Sequence, residues 1–205
     1  MSTDIASSAR TATPPSTRWR TVDIVVASSI AVAFGVVFWA WGNLWNAAQP
    51  AFIAFPPVQG FMYGVWLLPA VLGALLIRKP GAAVYTELVA AIVSALLGTA
   101  WGLSVVLYGV LEGAAAELVF AFLAYKSWRI ATAVVAGAAA GAAAALLDII
   151  FYYPKWSGAW QATFALVVTA SAALIAGAGA YLLMQALART GVLTPFVSGR
   201  DQAEI

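Results

Sequence analysis

The sequence predicts an all-α polytopic membrane protein, a bundle of six transmembrane helices with both termini cytoplasmic. Three observations carry this. Of 205 residues, 63% are hydrophobic and 9% charged, against about 25% charged in an ordinary soluble domain. The apolar residues come in runs of about 20, the length of a helix that crosses a bilayer. Nine of the ten Lys and Arg residues fall on one side of a six-span arrangement, and by the positive-inside rule that side is the cytoplasm.

Residues 1–17 are rich in Ser, Thr, Ala and Pro and have no apolar face, so they are expected to form a disordered cytoplasmic tail. They do not read as a signal peptide, because the first apolar stretch is too long for an h-region and begins after Arg18 and Arg20. The membrane domain is expected over 18–190, and 191–205 as a second cytoplasmic tail. Within it the spans run roughly 21–46, 58–77, 81–101, 104–125, 129–152 and 160–187. Breaks fall at Pro50, Pro56 and Pro57, at Pro80 and Gly81, at Gly102, at 126–129 and at 154–158. Spans three and four nearly touch at 102–103, but fusing them would make about 45 residues, too long for one crossing.

Orientation follows from charge. Arg10, Arg18 and Arg20 precede span one, Arg78 and Lys79 separate spans two and three, and Lys126 and Arg129 separate four and five. Arg189 and Arg200 follow span six, and Lys155 alone lies on the outer side. The chain is therefore expected in the cell membrane, with the lipid bilayer as its solvent. A net charge of +2 gives no reason to expect a nucleic-acid partner.

There is no Cys and no His. That removes thiol chemistry, histidine general bases and nearly all transition-metal sites. No nucleotide-binding glycine motif or HExxH occurs. No cofactor and no enzymatic activity are expected, and any ATP-driven transport would need an ATPase on another chain.

Four carboxylates fall inside the spans: Glu87, Glu112, Glu117 and Asp148. Each costs about 2.5–3.5 kcal/mol or more at a helix centre, and no basic residue lies in any span interior. They must be protonated, hydrated, hydrogen-bonded to polar neighbours or matched by a cationic ligand. Glu112 is placed roughly 12 Å from the outer end of span four, and Asp148 roughly 6 Å from that of span five. Glu87 and Glu117 fall in the inner half. Tyr108 and Glu112 share a helix face, as do Asp148 and Tyr152.

Nine Trp residues are present. Trp19, Trp45, Trp128, Trp156 and Trp160 read as an interfacial belt. Trp39 and Trp41 belong to a dense stretch with Asn43 and Asn46 at the outer end of span one, where the amides are expected to face a cavity. Acids among Tyr and Trp suit a small cation carrying an aromatic ring. The competing reading is that these acids cap helices or lie buried and neutral.

Ala27, Ala31 and Gly35 recur every four residues on span one, and such a stripe lets a second helix approach closely. Similar runs at 137–141 and 176–180 are expected to pack inside the bundle. The span-one stripe is expected to face outward as a docking surface.

Taken together, the stretches FWAWGNLWNAAQPAF (38–52), YTELVAAIVSALLGTAWG (85–102) and YGVLEGAAAELVFA (108–121) resemble the YkoE-type S components of energy-coupling factor (ECF) transporters. The likeness, with the spacing of the spans, covers about residues 20–190. It implies a substrate-binding membrane subunit of an ABC importer, capturing thiamine or its hydroxymethylpyrimidine precursor from outside. It also implies docking through the Ala27–Ala31 stripe on a transmembrane T component driven by two cytoplasmic ATPase subunits. Two other readings stay open: a proton-coupled exporter of organic cations, acting through Glu87, Glu112 or Glu117, and a scaffold subunit with buried, neutral acids. No internal similarity between the two halves supports the alternating-access reading.

Overall fold

The computed structural model describes residues 18–190, so the expectations for 1–17 and 191–205, including Arg10 and Arg200, lie outside the described residues. All regular structure among the described residues is helical. Five stretches are long and apolar enough to cross a membrane: Thr21–Phe52, Pro56–Ile77, Ser104–Phe122, Ile130–Phe151 and Gly158–Arg189. The third expected span is a shorter apolar helix, Ala82–Leu96.

Helix α1 (Thr21–Ala48) runs 28 residues without a proline and gives way to a 3₁₀ turn at Gln49–Phe52, where Pro50 blocks its continuation. Its first turn is pinned by charge. Asp23, fully buried, pairs with Arg20 (2.9 Å) and with Lys79 (2.5 Å), and its carboxylate accepts from the Arg20 backbone N–H (2.7 Å). Trp19 Nε1 donates to the Pro80 carbonyl (3.0 Å), so the start of α1 is tied to the corner that follows the second span.

The buried face of α1 is Asp23, Ala27, Ala31, Gly35, Phe38, Gly42 and Trp45. This corrects the expected outward stripe: Ala27, Ala31 and Gly35 are buried inside the bundle, against α3 (Ala82–Leu96). A Cβ at Gly35 would collide with Val93 and lie 2.9 Å from the Ala90 carbonyl oxygen. Small residues allow this close approach whichever partner makes it, and here the partner is within the chain. The outward face is Val25, Val32 and Val36.

The second span changes winding part-way. Pro56–Val65 forms a 3₁₀ helix, followed by helix α2 (Leu68–Ile77). Ten residues are long for a 3₁₀ helix. Pro56 and Pro57 start it, and Gly60 and Gly64 have no Cβ to conflict with the last span, where a Cβ at Gly64 would lie 2.7 Å from the Ser171 carbonyl oxygen. Ser171 holds it from the side, accepting from Gly64 N–H (3.1 Å) and donating to the Phe61 carbonyl. Helix α2 is the centre of the molecule, buried from Pro69 to Ile77. It ends where Arg78 takes a left-handed conformation (φ 53°).

Helix α3 stops at Leu96, five residues short of the expected 101. Gly98 (φ 84°) and Gly102 (φ 57°) turn the chain in the left-handed region, so the helix ends before the apolar sequence does. Its 15 residues span about 22 Å, less than the roughly 30 Å of a hydrocarbon core.

Helices α4 (Ser104–Phe122) and α5 (Ile130–Phe151) follow. The last span is α6 (Gly158–Ser171), a π-helical segment at Ala172–Gly179, and α7 (Ala180–Arg189). The π-helical segment lies against α5 at backbone contact. A Cβ at Gly137 would come within 2.5 Å of the Ala172 carbonyl and 2.7 Å of Gly177 N. The glycine-rich run of α5 thus packs inside the bundle.

Candidate functional site

The second and third spans both leave polar groups at membrane depth. Helix α2 begins inside the span, so its first N–H groups have no partner within the helix. Glu87 on α3 supplies one: its Oε2 accepts from Ala70 N–H (2.9 Å). The neighbouring Thr86 Oγ1 donates to the Pro69 carbonyl (2.9 Å). The other Glu87 oxygen, Oε1, is buried with no hydrogen-bond partner. Glu87 lines a cavity of about 320 Å³ between α1, the 3₁₀ helix, α3, α4 and α5.

Two more acids line the same cavity. Asp148, near the end of α5, accepts from Tyr108 (2.8 Å) on one oxygen and from Tyr63 on the other. Tyr108 stands one turn before Glu112 on α4, and Tyr63 projects from the 3₁₀ helix. Glu112 is 5% exposed and accepts no hydrogen bond from any described residue. No Lys or Arg lines the cavity.

The remaining wall is aromatic. Trp66 meets Trp45 (ring centroids 5.4 Å), Tyr63 (5.4 Å) and Trp101 (5.6 Å), the last edge-to-face. Its indole N–H donates to the Phe38 carbonyl (3.3 Å), which leaves the ring's π surface for packing. Ser94, Thr99 and Ser104 add hydroxyls. Tyr152 and Tyr153 stand where α5 ends, and burial pushes the Tyr153 phenol up to about 12. A second hollow of about 460 Å³ adjoins through Trp45, Gln49 and Tyr153, walled by Trp156 and Phe164.

Of the acids and aromatics expected at a site, the fold brings Glu87, Tyr108, Glu112, Asp148 and Tyr152 into one cavity. It does not bring Glu117. That carboxylate accepts from Gly81 N–H (2.7 Å), Ala83 N–H (2.8 Å) and the Tyr125 hydroxyl (2.8 Å). It caps the start of α3 and satisfies orphan donors there, where the helix dipole favours an anion. Burial, and then the bond to Glu117, raise the Tyr125 phenol to about 12.

Trp39, Trp41, Asn43 and Asn46 also lie outside the cavity. Trp39 is 40% exposed on the outer face of α1, and Asn46 is exposed. Asn43 turns its amide back to the Trp39 carbonyl (2.9 Å), one turn earlier on its own helix. Trp41 spends its indole N–H on the Met62 carbonyl (2.9 Å). Aromatic lining residues that sequence reasoning missed are Phe38, Trp45, Tyr63, Trp66, Trp101 and Tyr153. Phe38 and Trp45 are seven apart on the face that carries Ala27 and Ala31, a signal present in the sequence. Tyr63 and Trp66 share a side because three residues make one 3₁₀ turn, which an α-helical reading of that span conceals.

Comparison with known proteins agrees with this architecture. Residues 22–143 match the family described as the permease component of an ABC-type cobalt transport system. Among the described residues no group of three or more acids, His or Cys could hold a metal ion. A Bacillus subtilis (strain 168) protein, YkoE, provisionally named an HMP/thiamine permease, is 32% identical over 186 residues, 89% of this chain and 92% of that one. A crystal structure of an S component of an ECF transporter superposes with a TM-score of 0.87 at 30% identity, covering 91% of this chain and 94% of the other. The chain belongs to the YkoE-type S components of ECF transporters. It is a multi-span membrane protein of transport, and its relatives are permease subunits rather than enzymes.

Proposed function

We propose that the acid-lined cavity captures thiamine, or its hydroxymethylpyrimidine precursor, from outside the cell. The observation that carries this reading is a half-aromatic cavity of about 320 Å³ with three carboxyl groups and no basic side chain. A cation bearing an aromatic ring meets both requirements: the rings receive it by stacking and cation–π attraction, and Glu112 and Asp148 supply the counter-charge. Tyr63, Tyr108 and Tyr152 would orient it by hydrogen bonds. The likeness to a B. subtilis protein named for HMP and thiamine supports the same ligand class.

In this reading the chain works in the plasma membrane with a T component and two cytoplasmic ATPase subunits, which supply the energy that it lacks. In it six helices cross, α3 among them despite its length, and both termini are cytoplasmic, a reading that the distribution of Lys and Arg supports. The cavity then opens outward. Docking on the T component uses surfaces other than Ala27, Ala31 and Gly35, which α3 already covers.

The test is a thermal-shift titration of the detergent-purified chain with thiamine, hydroxymethylpyrimidine and riboflavin. A ligand at 100 times its Kd stabilises the fold by about 2.7 kcal/mol. Thiamine or the pyrimidine is expected to shift the transition and riboflavin to leave it in place. A shift with riboflavin alone, or with none of the three, overturns the reading.

A further inference from the structure

The three carboxyl groups of the cavity stand in different surroundings. Asp148 receives two phenolic O–H donors, from Tyr63 and Tyr108, and two such donors are what a buried anion needs. Glu112 receives none, although it is 5% exposed and shares the cavity. The elements packed around it carry no compensating charge. Helix α3 presents Glu87 and the 3₁₀ helix presents Tyr63. Helix α5 presents Asp148, with Tyr152 and Tyr153 just beyond its end, and α4 itself adds Tyr108. Helix α2 has no ionisable side chain.

A charged Glu112 would therefore be a second anion beside Asp148, desolvated and without a donor. Like-charge repulsion and desolvation both oppose it. A proton on Glu112 removes both costs, and an arriving cation removes them as well. Proton and cation thus compete for one place.

We propose that this cavity takes up its cation in exchange for a proton held by Glu112. The O–H bond of the Glu112 carboxyl breaks and the proton passes to water or a buffer base. The positive charge of the ligand then settles against the Glu112 and Asp148 carboxylates. The net charge of the occupied cavity equals that of the empty one, so capture of a charged vitamin adds no further charge at membrane depth. The inference rests on the vitamin reading above and adds a regulation to it. Because protons compete for Glu112, affinity falls as pH falls, up to tenfold per unit where Glu112 is protonated.

Titration calorimetry of the full chain with thiamine, in phosphate and in Tris at the same pH, reads the exchange directly. About one proton released per thiamine bound is expected, seen as a binding enthalpy that differs between the buffers by their ionisation heats. Hydroxymethylpyrimidine, which has no permanent charge, is expected to bind with no release. Glu112→Gln should abolish the release and flatten the pH dependence of whatever affinity remains. The wild-type measurement stands without the variant. Equal enthalpies in both buffers with a pH-independent affinity for thiamine would overturn the exchange, and so would equal release with the uncharged pyrimidine. Absence of any saturable thiamine binding would instead remove the vitamin reading, and the exchange with it.

Discussion

The two ends of this bundle use the same residue types in opposite ways. At the end where α1 starts, both acids are satisfied: Asp23 pairs with Arg20 and Lys79, and Glu117 accepts two backbone N–H groups and a phenol. In the cavity that reaches towards the end where α1 finishes, Glu112 has no hydrogen-bond partner among the described residues, and Glu87, deeper in it, leaves one oxygen without a partner. A carboxylate whose hydrogen bonds are complete holds helices together. One that remains incomplete beside an aromatic cavity is a place for something else. Completeness of partners, rather than the presence of an acid in a span, separates scaffold from site.

The sharpest way to break this comparison is to neutralise one acid at each end. Glu112→Gln should weaken thiamine binding by about 3 kcal/mol, the loss of one of the cation's two counter-charges, while the ligand-free melting temperature holds or rises. Isothermal titration and a melting scan on the same sample read both. Asp23→Ala should do the reverse. It leaves Lys79 without its buried partner and should lower stability by about 3 kcal/mol, with ligand affinity at the wild-type value once folded protein is counted. If Asp23→Ala abolished binding in protein that stays folded, the two ends would not be separable.

Two smaller effects sharpen it further. Glu117→Gln removes the charge that caps α3, and a chemical or thermal melt should show a loss of about 1.5–3 kcal/mol. Ala31→Leu forces a larger side chain between α1 and α3 and should cost about 1–3 kcal/mol; unchanged stability would mean that the stripe is not an internal contact. Smallest of all, Asn46→Ala on the outer face of α1 should change stability by less than about 0.5 kcal/mol and leave thiamine affinity unmoved. A large loss of affinity in that variant would return the aromatic stretch at 39–46 to the site.

Much of the site was legible because helical periodicity is local. Tyr108 and Glu112, and Asp148 and Tyr152, are four apart, and depth counted along straight helices placed both pairs at one end. Glu87, assigned to the inner half, lies in the first half of α3 and lines the same cavity. The cavity reaches that far because α2 starts inside its own span, and Ala70 N–H near that start bonds to the Glu87 carboxylate. The stretch at 39–46 misled because its density of Trp and Asn says nothing about which way each side chain turns. The lining instead draws Phe38 and Trp45 from the small-residue face of the same helix.

What the sequence determined by itself is what depends on composition along the chain. The membrane class, the approximate course of each span and the family follow from apolar run length, from breaks at Pro and Gly and from recognisable segments. What only the tertiary structure decided is which face of each helix points inward and which acids have partners. The reason is the solvent. In lipid both faces of a helix are apolar, no hydrophobic difference drives one of them inside, and packing is set by shape. The small stripe of α1 therefore announced a close contact without naming α3 as its partner. Depth likewise sorted the four acids of the spans, but only the positions of Ala70, Gly81, Ala83, Tyr63 and Tyr108 showed which carboxylates were already satisfied.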